Sequence, residues 1–271
     1  MRLFRSRGRD HDVRMVRPAL VPAVLRLRAG QYAEAEAAAR AVAADRPADA
    51  PLALAVAALS AGAQGRHAEA LAEYDALLPV FGRDFGAEHP QTLLLRSNRA
   101  QTLIALGRYA ECEAECAAVA RAADRVRGPE RPRMTAAARN GQIYAVNAQG
   151  RHPEAERLAR EALDAHRTAD RFTLALRLGL ARSLNGQARH KEALAEAESA
   201  GKLSRRLPEE QRRAETGAVE LAMAGALLGL GRGTEARSRA VVAHDACVAA
   251  FGPGHYRTAE ARALLDRIGG A

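Results

Sequence analysis

The phrase "GRYAEC", residues 107–112, is one of six. "GQYAEA" (30–35), "GRHAEA" (65–70), "GRHPEA" (150–155), "ARHKEA" (188–193) and "GRGTEA" (231–236) repeat it at spacings of 35, 42, 43, 38 and 43 residues. Each copy follows an apolar stretch of helical character and precedes a second, Ala-rich one. "AEAEAAARAVAA" (33–44) and "AECEAECAAVARAA" (110–123) are strong helix formers throughout. The phrase therefore reads as the turn of a helical hairpin. Its glycine ends the first helix in a left-handed conformation, and its glutamate sits in the first turn of the second, where the helix dipole favours it. Self-similarity at this period is the mark of stacked hairpins.

Composition points the same way. The 271 residues are 48% hydrophobic but only 4% aromatic, with no tryptophan, so the core is built from small residues that suit closely packed helices. Strand signals are missing, and the expected class is all-α. Three cysteines give no disulfide framework, which fits a reducing cytoplasm. The basic start lacks an adequate apolar run, because Arg26 and Arg28 interrupt it. The longest apolar stretch, "PLALAVAALSAGA" (51–63), is too short to span a bilayer. The formal charge of +9 is almost all arginine, Lys191 and Lys202 being the only lysines, as in a GC-rich bacterial genome. Residues 1–17 carry six arginines against two aspartates and read as a basic, disordered tail. Elsewhere the charge is scattered without interleaved aromatics, which describes a solvated surface better than a nucleic-acid site.

The six copies resemble the tetratricopeptide repeat family. Seven positions before the turn residue, where the family has a small side chain at a helix crossing, stand Ala23, Ala58, Ala100, Ala181 and Ala224, with Ile143 the bulky exception. Five positions after it stand Ala35, Ala70, Cys112, Ala155, Ala193 and Ala236. Four further on are Ala39, Tyr74, Cys116, Ala159, Ala197 and Ala240. The linkers "FGAEHPQT" (85–92) and "FGPGHYRT" (251–258), with "RGPERPRMT" (127–135) as a decayed copy, look like those of a kinesin-light-chain-like bacterial branch. The expected tryptophan is missing everywhere. The resemblance covers residues 18–268 and implies a right-handed α-solenoid of about six antiparallel hairpins, a C-terminal capping helix and a flexible end at 269–271.

The repeat register settles the reactive side chains. Cys112 and Cys116 stand where other copies have alanine, so they read as packing residues and not as ligands. His67, His152 and His190 share one position with Tyr32 and Tyr109, where a ring packs at the helix junction. His89 and His255 read as helix-entry residues, and His244 with Cys247 is a weak metal signal. No phosphate loop, nucleophile elbow or HExxH element occurs, so no cofactor, metal or catalytic set is expected.

The resemblance also implies an inner face lined by the first helix of each repeat. Its places in the third repeat are Ser97, Asn98, Gln101 and Ile104. In the fourth they are Asn140, Gly141, Tyr144 and Asn147, and in the fifth Leu178, Gly179, Arg182 and Asn185. The candidate binding set is thus Ser97, Asn98, Gln101, Asn140, Tyr144, Asn147, Arg182 and Asn185. Amides can bond both the N–H and the C=O of an extended peptide, and Arg182 can hold a carboxylate. Equally, polar residues here can simply face water. The expected function is a cytoplasmic, non-catalytic scaffold for a protein or peptide segment, with self-association left open. A ligand-sensing regulatory module and an enzyme or accessory protein of specialised metabolism are the rival readings.

Overall fold

The structure is a computed structural model that describes residues 17–128 and 131–270, and the basic tail lies outside the described residues apart from Arg17. All regular structure among the described residues is helical. The chain divides into two compact units, up to Thr102 and from Leu103 onward.

The first unit holds α1 (Val21–Arg28), α2 (Tyr32–Asp45), α3 (Ala50–Ala63), α4 (His67–Asp84) and most of α5 (Pro90–Ala105). Within it, α1 packs on α2, α2 on α3, and α3 on α4. The second unit begins at the end of α5 and continues with α6 (Tyr109–Arg125), α7 (Arg131–Ala148), α8 (His152–Ala165), α9 (Arg171–Gly186) and α10 (His190–Arg206). It then has a single-turn helix α11 (Glu209–Arg212), followed by α12 (Ala218–Gly229), α13 (Gly233–Phe251) and α14 (Tyr256–Gly269). Here too each long helix packs on the next, α10 meeting α12 across the short linker helix.

The six turns close alike. In each, the N–H after the turn residue donates to a carbonyl five residues back, as in Arg66 to Ala61 at 3.1 Å and Arg189 to Leu184 at 3.0 Å. Ala188 adopts the same left-handed backbone as the glycines, with φ at +59°, and is the one such non-glycine residue among those described. The three small-residue positions of every copy are packed, each of the eighteen side chains being at most 3% exposed. Ile143 fits its close crossing because the facing residue is Gly179, where a Cβ would come within 2.9 Å of Ile143 Cγ2.

Ionic staples reinforce the repeat junctions. In the first unit, Glu36 accepts hydrogen bonds from Gln64 (2.9 Å), Arg66 and Arg40 (3.1 Å). In the second, Glu113 accepts from Gln149 and Arg151 at 2.8 and 2.6 Å. One repeat later, Glu156 accepts from Gln187 and Arg189, both at 2.7 Å. The glutamate six residues after one turn therefore holds the glutamine and arginine that flank the next. Burial raises the pKa of Glu156, but the bonds from Gln187, Arg160 and Arg189 outweigh it and hold the carboxyl at about 2.

Candidate functional site

Ser97, Asn98 and Gln101 lie on α5 within the first unit. Ser97 Oγ bonds back to the Leu93 carbonyl at 2.9 Å, while Gln101 is exposed and Asn98 half-buried. The entry of α5 fits the reading of His89, whose Nδ1 accepts from the Gln91 N–H at 3.2 Å. His255 does the same for Arg257 at the start of α14, also at 3.2 Å.

The other five candidates belong to the second unit, Asn140, Tyr144 and Asn147 on α7 and Arg182 and Asn185 on α9. Tyr144 and Arg182 come together. The guanidinium lies 4.8 Å from the Tyr144 ring centre, a cation–π contact. One of its nitrogens donates to Glu260 Oε1 at 2.7 Å, bringing α14 onto the same face. Tyr256 sets its ring edge-on to Tyr144 at 5.9 Å, and the Tyr109 ring lies tilted to Tyr144 at 6.5 Å. Next to Tyr256, Arg257 pairs with Glu215 at 3.1 Å.

Desolvation dominates the electrostatics of this cluster. Burial pushes the Tyr144 and Tyr256 hydroxyls upward, and the nearby Glu260 charge adds to the rise at Tyr144. Burial would lower the pKa of Arg182, but the charge of Glu260 outweighs it and the guanidinium stays charged. Glu215 is raised by burial in spite of Arg257. Glu260 is held by one oxygen only, since its Oε2 is buried without a hydrogen-bond partner. About a third of the Arg182 and Glu260 side-chain surface remains exposed, although Glu260 Oε2 itself is buried.

Asn147 is placed differently from the sequence expectation, and the half-buried Asn185 has its Oδ1 engaged. Asn147 is 4% exposed, and its Nδ2 donates to the Gly179 carbonyl and Ser183 Oγ at 3.2 and 2.9 Å. Its Oδ1 bonds His152 Nδ1 at 3.1 Å, and Asn185 Oδ1 bonds His190 Nδ1 at 2.7 Å. Both amides thus orient a histidine at the following turn. A buried amide must satisfy its own donors, and the backbone of the neighbouring helix is the nearest partner. Gly141 and Gly179 are likewise buried, against Cys116 and Ile143, and present no surface. Asn140 is half-buried on α7 and has no hydrogen-bond partner among the described residues.

Sequence reasoning missed Tyr256, Glu260 and the Arg257–Glu215 pair. Tyr256 and Arg257 fall inside the linker phrase 251–258, which signals a helix start and nothing about a contact with Arg182, 78 residues before Glu260 in the chain. Cys112 and Cys116 are buried, with their sulfurs 3.9 Å apart, and a Cβ on Gly141 would come within 2.7 Å of the Cys116 sulfur. Among the described residues no group of three or more His, Cys, Asp and Glu side chains is placed to hold a metal. No described helix is long and apolar enough to cross a membrane.

Residues 50–111 match the family model of the tetratricopeptide repeat. None of the curated proteins matches the chain. Among solved structures, it is similar to nearly identical TPR-like repeats from a Podosopora anserina protein described as a kinesin light chain. That likeness has a TM-score of 0.58 at 20% identity, over 72% of this chain and 96% of the other. A point-substituted form of the same repeats gives 0.53 at 18% identity, over 72% and 93%. A tetratricopeptide repeat protein from Parabacteroides merdae gives 0.49 at 15% identity, over 92% and 97%. At such identities the first two likenesses establish the fold alone. Stacked repeats of this kind generally mediate protein–protein interaction. The fold is thus that of TPR-like helical repeats, and residues 50–111 match the tetratricopeptide repeat model.

Proposed function

We propose that the first-helix faces of the second unit bind a segment of a partner protein, with no chemistry of their own, and that Arg182 takes a carboxylate from that segment. The observation that carries this is the state of Arg182. Its charge is held by Glu260 through a single oxygen, and the pair is a third exposed. The guanidinium has five N–H donors and gives one of them to Glu260, so a partner's carboxylate can bind beside Glu260, whose own charge then opposes the newcomer. Asn140, with its amide uncommitted, stands four residues before Tyr144 on the same helix and is available to a peptide backbone.

The test is affinity capture of the partner followed by calorimetry against two variants. Asn140→Ala removes one or two neutral hydrogen bonds and should weaken binding by about tenfold or less. Glu260→Gln removes the opposing charge while keeping its shape, and should tighten binding by several-fold. Binding that weakens in Glu260→Gln, with melting behaviour unchanged, would exclude carboxylate binding at Arg182.

A further inference from the structure

The second unit contains a cavity of about 500 Å³ between α10, α12 and α13, closed at one end by the α11 linker. Its floor is apolar. Val219, Met223 and Leu227 from α12 and Leu194 from α10 form it, and Gly201 leaves the Met223 methyl group room, a Cβ there lying 3.4 Å from Met223 Cε. The rim is cationic, with Lys202, Arg205, Arg212, Arg232 and Arg239. Arg232 is engaged with Glu235 at 2.7 Å. Lys202, Arg205, Arg212 and Arg239 have no hydrogen-bonded or ion-paired partner among the described residues.

Five cations face four carboxylates, Glu198, Glu215, Glu220 and Glu235. Glu215, however, is paired with Arg257, which does not line the cavity. The cavity therefore carries an excess of two positive charges above an apolar floor. At its edge Thr216 and Gly217 bring the start of α12, which has no side-chain cap, and its partial positive charge adds in the same direction. Such a volume lies within the usual range for small-molecule sites. Arginine forks match phosphate oxygens, and an apolar body can cover Val219, Met223 and Leu227.

We infer that this cavity binds a small amphipathic phosphomonoester, its dianionic head among Arg205, Arg212, Lys202 and Arg239 and its apolar body against Met223. A neutral apolar molecule leaves the charge excess unmatched, and inorganic phosphate leaves the floor bare. The site meets the Arg182 cluster only at Glu215 and needs no partner bound there.

The experiment uses decyl phosphate below its micellar concentration, read by calorimetry and by the methyl resonances of isotopically labelled methionine. The chain has four methionines, and of the two among the described residues, Met134 and Met223, only Met223 lines the cavity. Decyl phosphate should bind saturably and shift the Met223 signal while the Met134 signal stays in place. The combined Arg205→Glu, Arg212→Glu variant, altered only at exposed side chains, should keep its melting temperature and lose about tenfold or more in affinity. A second variant, Arg239→Glu, should weaken binding in the same direction if the first is unstable. Inorganic phosphate alone should leave Met223 unshifted, and decanol should bind far more weakly. Decanol equalling decyl phosphate, binding that leaves Met223 unmoved, undiminished affinity in both charge variants, or no binding at all would each overturn the assignment.

Discussion

The imidazole of His152, at the start of α8, lies against Gly186, the last residue of α9, so closely that a Cβ at 186 would overlap the ring. His190 stands in the same relation to Gly229 one repeat later. Each ring is fixed from behind by an asparagine, Asn147 or Asn185. Gly186→Ala and Gly229→Ala should therefore each destabilise by about 1–3 kcal/mol, the cost of overpacking a fixed neighbour. Adding His152→Ala to Gly186→Ala should recover part of the loss. The check is a double-mutant cycle in urea, where strictly additive effects would mean that the two residues do not couple.

Ala188 holds a left-handed backbone that the other five turns give to glycine. That conformation costs an L-residue with a Cβ roughly 1–2 kcal/mol, part of which glycine returns through the freedom of the unfolded chain. Ala188→Gly should accordingly stabilise by about 0.5–1 kcal/mol, seen as a higher urea midpoint with an unchanged slope. A lowered midpoint would show that the turn is not under strain.

Glu156 gives the junction between the fourth and fifth repeats a pH dependence. Its folded-state pKa of about 2 lies below the ordinary value of 4.5. Its contribution is therefore complete above that ordinary value and is lost as pH falls toward 2. Glu156→Gln should cost about 1 kcal/mol at neutral pH, a figure kept low because solvent reaches its arginine partners. The gap between wild type and variant should close on acidification. A gap that is constant with pH would assign the effect to packing and not to charge.

Cys112, Cys116 and Cys247 are buried. The Cys112 thiol and burial both push the Cys116 pKa up, and burial does so at Cys247. A thiol reagent at neutral pH should titrate none of the three in the folded protein and all three in denaturant. Elemental analysis of purified protein should find no stoichiometric zinc or iron. Rapid modification of Cys116 under native conditions would contradict the packing that Gly141 and Cys116 share.

The helical repeats, the register of the six turns and the identity of the buried small residues are legible in the amino-acid sequence alone. Those features are local or periodic. A left-handed cap and a helix face are set by residues within one or two turns, and Ala23, Cys112 or Ala240 are marked by position alone. The helix-entry role of His89 and His255 was legible for the same reason. What the polar residues do depends on how the helices pack. Asn147 and Asn185 occupy places that the family pattern assigns to a binding face, yet they spend their hydrogen bonds on His152, His190 and the α9 backbone. Arg182 meets Glu260 and Tyr144 meets Tyr256, partners that no periodicity links. A long polar side chain bonds whichever group the packed backbones bring within about 3 Å. That distance is fixed by the angles between successive helices, which sum contributions from every packed side chain along the repeats and leave no mark at any single position.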